Sequence, residues 1–471
     1  MMKISAMRPG YLYFSIFIWL VSTGGRFSAN FLEDVASFND SMIGITFAVQ
    51  MLISSFLGSV GSIYADRLEL KYPNKGRLLV LASGLFLSTV IFMMHGIVRF
   101  FADEYEQHLL FVGLHFAIRV GCACFYSIIF PILDGVTLSY LKSRDGSVSY
   151  GKERLFGAVA WAISSILIGP LLDYYGFGIF FITAPAGCLV SLYTIAKFGQ
   201  NCGAYEQIAY ERHSDGTEMV EKKISAKENG KVIEDENVDD DEYMNEQTDV
   251  SSIYLLRVLI STVTACGFIL SSLTLNMGTS VVENLIFLYF ETLGGSFMVM
   301  GLTVVVTVVF EIPIFHYAPR LLLYFGAEKL QIIACVAYVI RVVAYTCIPK
   351  GRMIFVLFFE PLHGITYACS KTSSVEFAAK ISPTGFESSS QGMISLILGI
   401  GSVVGVSLGG WIEESLGPQV LYRSYAGIVA IGLFIFCLTL SIDRRLISDN
   451  EARNDPRSKT KYADLSRTQT C

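Results

Sequence analysis

One apolar stretch in the C-terminal third of the chain carries ionisable residues at helical spacing. The stretch, FFEPLHGITYACSKTSSVEF, is long and apolar enough to cross a bilayer. Steps of three or four residues place Glu360, His363, Tyr367 and either Ser370 or Lys371 on one face of a helix. Charge is costly in lipid, so this face is predicted to line a polar cavity. The alternative is that these groups pair with one another and only hold helices together.

Carboxyl groups inside apolar segments are candidates for proton binding. They are Asp134, Glu283, Glu311 and Glu360. Burial disfavours the charged form of a carboxyl group, so its protonation can change with the side of the membrane that it faces. Such a change would couple proton entry to substrate entry. A static salt-bridge network around Arg341 is the competing interpretation.

Basic and amide side chains in apolar segments are candidates for substrate contact. Arg26 follows Gly24 and Gly25, and Asn30 lies one helical turn further on. The arginine could grip an anionic or hydroxyl-rich substrate, or it could pair with a buried acid. Lys371 could bind substrate, or it could extend its amine toward the cytoplasmic surface.

The composition is that of an integral membrane protein. Of 471 residues, 53% are hydrophobic and 16% are charged, and the ten cysteines are scattered without zinc-ligand spacing. The motifs GxxxxGK[ST] and HExxH are absent, which argues against an ATP-driven pump and against zinc hydrolases of the HExxH type. We therefore expect a protein that is not an enzyme, with no metal, no cofactor and no nucleic-acid partner.

Apolar windows predict an all-α membrane protein with twelve transmembrane helices in two pseudo-symmetric six-helix bundles. An acidic stretch divides the spans six and six and is predicted to be a disordered cytoplasmic linker. Basic residues concentrate on one side, so both termini are predicted to be cytoplasmic. The domains are then the bundles 1–197 and 253–442, the linker 198–252 and the cytoplasmic tail 443–471. The predicted spans are Tyr11–Phe31, Met42–Tyr64, Leu78–Val98, Val120–Tyr140, Leu155–Leu172, Ile179–Ala196, Phe268–Phe290, Phe297–Tyr317, Leu330–Cys347, Met353–Ser374, Met393–Trp411 and Leu421–Leu440.

Several motifs resemble one family of transporters. The run Tyr150-Gly151-Lys152-Glu153-Arg154-Leu155-Phe156-Gly157 is similar to an element of the lactose-permease and nucleoside-symporter-like branch of the major facilitator superfamily. The run Ala65-Asp66-Arg67 resembles part of the superfamily's signature in the loop after the second span. The sequences around Glu311, Glu360 and Trp411 resemble the animal major facilitator superfamily domain-containing protein 6 group within that branch.

The resemblance implies the major facilitator superfamily fold and a gate on its cytoplasmic side. The residues at the matching positions are Asp66, Arg67, Arg144, Tyr150, Glu153 and Arg154. In that branch an acid, an arginine and a histidine lie in spans eight to ten, and the residues of similar type here are Glu311, Arg341, Glu360 and His363. For Arg144 and Arg154, a plain preference of basic residues for the cytoplasmic side is an equal alternative.

Taken together, these features predict a secondary active transporter of a small polar solute such as a sugar or a nucleoside. It would work by alternating access and be coupled to protons, with the solute bound between two similar halves. Its partners would be the solute, protons and the lipid bilayer, and we expect a monomer. The alternative is a non-transporting membrane receptor or scaffold that retains the transporter fold.

Overall fold

The chain is helical throughout the part that the structure describes. The computed structural model covers residues 7–73, 75–102, 104–142, 150–200, 262–381 and 387–454, and its regular elements are all helices. The α-helices of the first sequence half are α1 (Pro9–Ser22), α2 (Ser28–Ala36), α3 (Asp40–Lys71), α4 (Gly76–Met93), α5 (His108–Tyr126), α6 (Ile129–Lys142), α7 (Tyr150–Tyr175) and α8 (180–200). Those of the second half are α9 (Val263–Thr292), α10 (Phe297–His316), α11 (Ala318–Tyr345), α12 (Pro361–Ile381), α13 (Glu387–Leu416) and α14 (Pro418–Asn454).

Most of the predicted spans are confirmed as long apolar helices. Within the described ranges, nine helical segments are long and apolar enough to cross a membrane. The first predicted span is not among them because it is divided into α1 and α2. Helices α11 and α12 are also not among them. Both carry buried ionisable residues, so their sequences give a weaker apolar signal.

Two predicted boundaries are wrong. The fourth span was placed at Val120–Tyr140, but the helical segment begins at His108 and continues to Leu141 with a turn between α5 and α6. The seventh span was placed at Phe268–Phe290, but α9 begins at Val263. The amphipathic helix predicted before this span falls largely on residues 253–261, which lie outside the described residues. In both places the apolar window was longer than one straight helix requires, so sequence alone did not fix where the span begins.

Breaks in the helices occur at glycine and proline. Gly24 and Gly25 have φ angles of 116° and 50°, which are left-handed conformations, and they separate α1 from α2. Gly326, with φ 73°, interrupts α11. Pro361 begins α12 after a 3₁₀ turn at Met353–Phe358, because proline fits the first turn of a helix and not its interior. Residue 360 therefore precedes the helix, and the predicted span Met353–Ser374 consists of this 3₁₀ turn followed by the first part of α12.

Packing divides the chain into two compact units. The first, the N-terminal unit, comprises residues 1–38, 49–251 and 296–304, and the second, the C-terminal unit, comprises 39–48, 252–295 and 305–471. A core in the N-terminal unit is centred on Leu12, Trp19 and Leu85. A core in the C-terminal unit includes Phe268, Phe377 and Phe436, and the rings of Phe268 and Phe377 stack at 3.8 Å. The predicted linker lies mostly outside the described residues, and the predicted domain boundaries stay a prediction.

Each unit includes one short segment from the other sequence half, and a carboxylate holds the helix that starts there. In the N-terminal unit, Asp173 accepts hydrogen bonds from the backbone N–H groups of Phe297 (2.7 Å) and Met298 (2.9 Å) at the start of α10. In the C-terminal unit, Glu414 accepts them from the Asn39 side chain and the Ser41 N–H, both at 3.1 Å. Acidic groups are favourable at helix N-termini, where backbone N–H groups have no partner within the helix.

Candidate functional site

The most buried ionisable cluster of the C-terminal unit centres on Glu360. This residue follows the 3₁₀ turn and immediately precedes α12, so the chain direction changes at its position. Glu360 is 3% exposed, and His363, one turn into α12, is 5% exposed. The sequence predicted this pair from its spacing, and the structure brings the two side chains together with the Glu360 Oε2 atom 3.5 Å from the His363 Nδ1 atom.

Two hydroxyl groups from other helices complete the surroundings of the carboxylate. The Tyr345 hydroxyl at the end of α11 donates a hydrogen bond to Glu360 Oε1 at 2.7 Å. The Thr307 hydroxyl in α10 donates another to Oε2 at 2.9 Å. Hydrogen bonds to an ionised acceptor are stronger than neutral ones, so this arrangement favours the carboxylate. A proton added to Glu360 would therefore weaken these hydrogen bonds.

Arg341 lies beside this carboxylate and is fully buried. Its exposed fraction is 0%, and none of its three guanidinium nitrogens has a hydrogen-bond partner among the described residues. The guanidinium lies over two aromatic rings of the same helix, 5.7 Å from the centroid of Tyr338 and 5.8 Å from that of Tyr345. Cation–π contacts offset part of the cost of burying this charge. Glu360 and Arg341 also interact electrostatically, so the charges of the cluster are partly balanced.

Close contact between α10 and α12 depends on Gly364. A Cβ atom added at this position would lie 2.6 Å from the Thr307 carbonyl oxygen and 2.8 Å from the Glu311 backbone nitrogen. These distances are shorter than van der Waals contact, so only glycine allows the present spacing. The same contact brings Thr307 within reach of Glu360.

The other predicted residues of this unit lie in α10 and in the later turns of α12. Glu311 is half-buried in α10, one turn after Thr307. Tyr367 is half-buried and packs on Phe315, with ring centroids 6.3 Å apart. Lys371 is exposed, and its amine lies 5.7 Å from the centroid of the Tyr367 ring. The helix face predicted from the spacing therefore changes from buried at His363 to exposed at Lys371.

Glu283 is half-buried in α9, and within the described residues it has neither an ion pair nor a hydrogen-bond partner. This carboxyl group is therefore separate from the Glu360 cluster. The described residues contain no group of three or more His, Cys, Asp or Glu side chains that could hold a metal ion.

Predicted residues of the N-terminal unit occupy two places. Arg26 is half-buried in the short 3₁₀ turn Gly25–Phe27, and Asn30 is 1% exposed in α2. Asp134, predicted to line the cavity, accepts a hydrogen bond from the Tyr13 hydroxyl, and Arg154 Nη1 lies 3.9 Å from its other oxygen. The structure thus places Asp134 beside a residue predicted for the cytoplasmic gate.

The predicted gate residues form contacts within the N-terminal unit. Glu153 is fully buried and accepts hydrogen bonds from Arg8 Nε (2.9 Å) and the Gly10 N–H (2.7 Å), so it ties α7 to the start of α1. Asp66 pairs with Arg77 at 2.7 Å. Arg67 is exposed. Arg144 lies outside the described residues, and so does the side chain of Tyr150.

Sequence reasoning missed Thr307 and Tyr345. Each lies four residues from a predicted member of the site, Glu311 and Arg341 respectively, and so shares a helix face with it. That spacing was the available signal. A threonine or tyrosine in an apolar helix is ordinarily satisfied by its own backbone or by packing, so only the tertiary structure identifies these two as donors.

A buried acid, arginine and histidine brought together by α10, α11 and α12 are characteristic of membrane transport proteins, where such groups are retained at a cost for function. The family model of the MFS_1 like family matches residues 11–424, and the chain belongs to this family of the major facilitator superfamily. It is thus a multi-pass membrane protein with the major facilitator fold, as its motifs had predicted.

Its curated relatives are sugar permeases rather than enzymes. The maltose permease of Geobacillus stearothermophilus is 22% identical over 361 residues, which is 76% of each chain. The raffinose permease of Escherichia coli is 24% identical over 167 residues, 34% of this chain and 35% of the permease.

Solved structures with the same fold are also transporters. The nucleoside transporter NupG aligns with a TM-score of 0.62 and 13% identity, covering 92% of this chain and 97% of that one. A D-xylose-proton symporter aligns with a TM-score of 0.59 and 14% identity, covering 91% of this chain and 95% of the symporter. At such low identity the likeness establishes the fold alone.

Proposed function

We propose that the chain is a secondary active transporter of a small polar solute of the sugar or nucleoside type, that it works by alternating access, and that Glu360 carries the coupled proton. The observation that supports the proposal most directly is a carboxylate that is 3% exposed, held by two hydroxyl donors and placed near a buried arginine. The substrate class is suggested by relatives that are named as maltose and raffinose permeases.

The proton step follows from the bonds around Glu360. The carboxylate is stabilised by the Tyr345 and Thr307 hydroxyls and by the positive charge of Arg341. Protonation removes the negative charge, weakens both hydrogen bonds and leaves Arg341 without its nearest compensating charge. The arrangement of α10, α11 and α12 that stabilises the Glu360 carboxylate is therefore not the arrangement that stabilises its protonated form. A proton that binds one conformation better than another shifts the equilibrium between them.

The remaining parts of the proposal concern topology and gating. Asp66, Arg67, Arg144, Tyr150, Glu153 and Arg154 form the cytoplasmic gate, and both termini are cytoplasmic. The solute contacts Arg26, Asn30, Glu311 and Tyr367, and the transporter is a monomer. Lys371 and Glu283 belong to the same candidate set, from which site-directed variants select the true contacts.

The test is uptake of labelled maltose, xylose and nucleosides by sealed proteoliposomes with an imposed pH gradient. The variants are Glu360→Gln and, as a matched control, Glu376→Gln, which changes an exposed carboxyl group of α12. Gradient-driven uptake that is lost in Glu360→Gln and retained in Glu376→Gln supports the proposal. Uptake that ignores the gradient in every variant contradicts the role of Glu360 in coupling. Absence of uptake by folded protein, with a change of stability alone in Glu360→Gln, favours the receptor or scaffold alternative.

A further inference from the structure

The N-terminal unit contains a buried histidine pair that the proposed mechanism does not use. His95 lies just after α4 in the 3₁₀ turn Met94–Phe100, and His115 lies in α5. Their Nδ1 atoms are 2.6 Å apart and share a hydrogen bond. The ring planes are 15° apart and the centroids 4.9 Å apart, so the rings meet edge to edge, and the residues are 2% and 1% exposed. The two rings thus form one unit enclosed by protein.

Aromatic rings surround the pair and one charged group faces it. Phe31 of α2, Phe92 of α4 and Phe111 of α5 contact the imidazoles at 5.3, 5.7 and 4.6 Å between centroids. Behind Phe31 lie the rings of Phe177, Phe180 and Phe181, from the turn Phe177–Ile179 and from α8. The charged group is Arg119, one helical turn after His115 and 8% exposed. Its Nε atom has no hydrogen-bond partner among the described residues.

The geometry fixes where a proton can be added. In the neutral pair one Nδ1–H donates to the Nδ1 lone pair of the other ring, so each ring holds one proton. An additional proton then binds the remaining free nitrogen, the Nε2 of the ring that donates. The Nε2 atom of His95 has no hydrogen-bond partner among the described residues, so it fits this role. Its protonation would make the 2.6 Å contact a charge-assisted hydrogen bond, the class in which short distances are found.

Arg119 makes this protonation depend on conformation. With the present packing, a second positive charge on the pair would be repelled by the buried Arg119 guanidinium, which interacts electrostatically with His95. The present conformation therefore favours the neutral histidine pair. A conformation in which water or an anion reaches Arg119 would favour the protonated pair. A site with unequal proton affinity in two conformations links proton binding to the change between them.

The histidine pair also has a counterpart in the C-terminal unit. There, the hydroxyl of Tyr345 at the end of the ninth predicted span meets Glu360 at the entry to the tenth. Here, His95 near the end of the third predicted span meets His115 in α5, the first part of the fourth helical segment, His108–Leu141. Both contacts join the third and fourth spans of a half, and each has a buried arginine, Arg341 or Arg119, on one of the two spans. The corresponding position thus carries titratable groups in both halves.

We infer that the His95–His115 pair is a second proton-binding site, distinct from Glu360, whose occupancy is controlled by Arg119. The site takes up one proton per pair. A role of this pair in energy coupling rests on the proposed function. Proton binding by the pair does not require transport, so it is measured separately.

The test is nuclear magnetic resonance of the purified full-length protein with ¹⁵N-labelled histidine, titrated from pH 8 to pH 4.5. The chain has six histidines, so single His→Gln variants assign the signals. We expect His95 and His115 to titrate together with uptake of one proton. Arg119→Gln substitutes neither ring, and removing the neighbouring positive charge should move that midpoint to higher pH. His363→Gln is the control and should leave the midpoint unchanged.

Three results would overturn the inference: no proton uptake by the pair in either the wild type or Arg119→Gln, independent titration of the two rings, or a midpoint that Arg119→Gln does not move. The wild type and Arg119→Gln both retain the pair, so the test does not depend on the folding of His95→Gln. Proteoliposome uptake separates the two proposals. Proton binding by the pair without any solute uptake refutes the transporter proposal alone, and solute uptake without titration of the pair refutes the second site alone.

Discussion

Two tyrosines on α11 provide a sharp test of the Glu360 cluster. Tyr338 and Tyr345 are both 0% exposed, and the Arg341 guanidinium lies at nearly equal distances from their rings. Their hydroxyl groups differ. That of Tyr345 donates to Glu360 at 2.7 Å, whereas that of Tyr338 has no hydrogen-bond partner among the described residues. Substitution by phenylalanine removes only the hydroxyl and keeps an aromatic ring under the arginine.

The expected effects differ in size and sign. Tyr345→Phe removes a buried hydrogen bond to an ionised acceptor, and such bonds contribute about 1.5–3 kcal/mol. It should lower the free energy of unfolding by that amount, a factor of about ten to one hundred and fifty in the equilibrium constant. Tyr338→Phe removes a buried hydroxyl without a partner, which should leave stability unchanged or raise it by about 1 kcal/mol.

The assay is reversible denaturant unfolding in mixed micelles, with each variant measured alone and combined with Glu360→Gln. In the Glu360→Gln background the cost of Tyr345→Phe should fall by more than half, because the two residues share one interaction. Equal costs for Tyr345→Phe and Tyr338→Phe would refute the reasoning. An undiminished cost of Tyr345→Phe in the double variant would refute it as well, since the hydroxyl would then act through some other partner.

Three further predictions follow from described contacts. Gly364→Ala should destabilise the protein by about 1–3 kcal/mol through overpacking against α10, whereas Gly399→Ala, with nothing within 4 Å of the added Cβ, should be neutral in the same unfolding assay. Asp173→Asn should lower the free energy of unfolding by about 1 kcal/mol, because it weakens the hydrogen bonds at the start of α10. The control is Asp34→Asn, which changes an exposed carboxyl group, and both variants are compared by thermal unfolding. Burial raises the pKa of Glu328, but a backbone N–H and the Lys380 ammonium at 3.1 Å lower the pKa by more, so the net direction is down. Because the pKa of Glu328 is lower in the folded protein, its carboxylate stabilises the fold above about pH 4.3, and this stabilisation is lost as the pH falls through the folded-state pKa. Lys380→Gln should therefore lower the free energy of unfolding by at most about 1 kcal/mol at pH 7, and by less in acid.

Sequence patterns were sufficient for the fold and for the centre of the site. Long apolar windows identified most of the spans because a bilayer imposes one length on every helix that crosses it. The spacing of Glu360 and His363 placed both side chains on one helix face, and the structure brings them within 3.5 Å. These features depend on local periodicity, which is present in the sequence itself.

Contacts between helices could not be predicted in the same way. The Tyr345 and Thr307 hydroxyls reach Glu360 because Gly364 lets two helices approach closely, and that spacing depends on tertiary packing. The partnership of Glu153 with Arg8 and that of His95 with His115 span 145 and 20 residues of sequence. Nothing in local spacing distinguishes such partners from other polar residues in apolar surroundings.

The charge on α11 and α12 has a consequence for how the protein is made. Neither helix is apolar enough by itself to be counted among the membrane-crossing segments, and each contains a buried ionisable group, Arg341 on one and Glu360 at the start of the other. Insertion of a lone helix with a central arginine costs roughly 2.5–3.5 kcal/mol during synthesis. We expect the two to enter the bilayer as a hairpin, with the arginine partly compensated as it leaves the insertion machinery. Loss of Glu360 would then lower the yield of correctly inserted protein, in addition to any change in the finished protein.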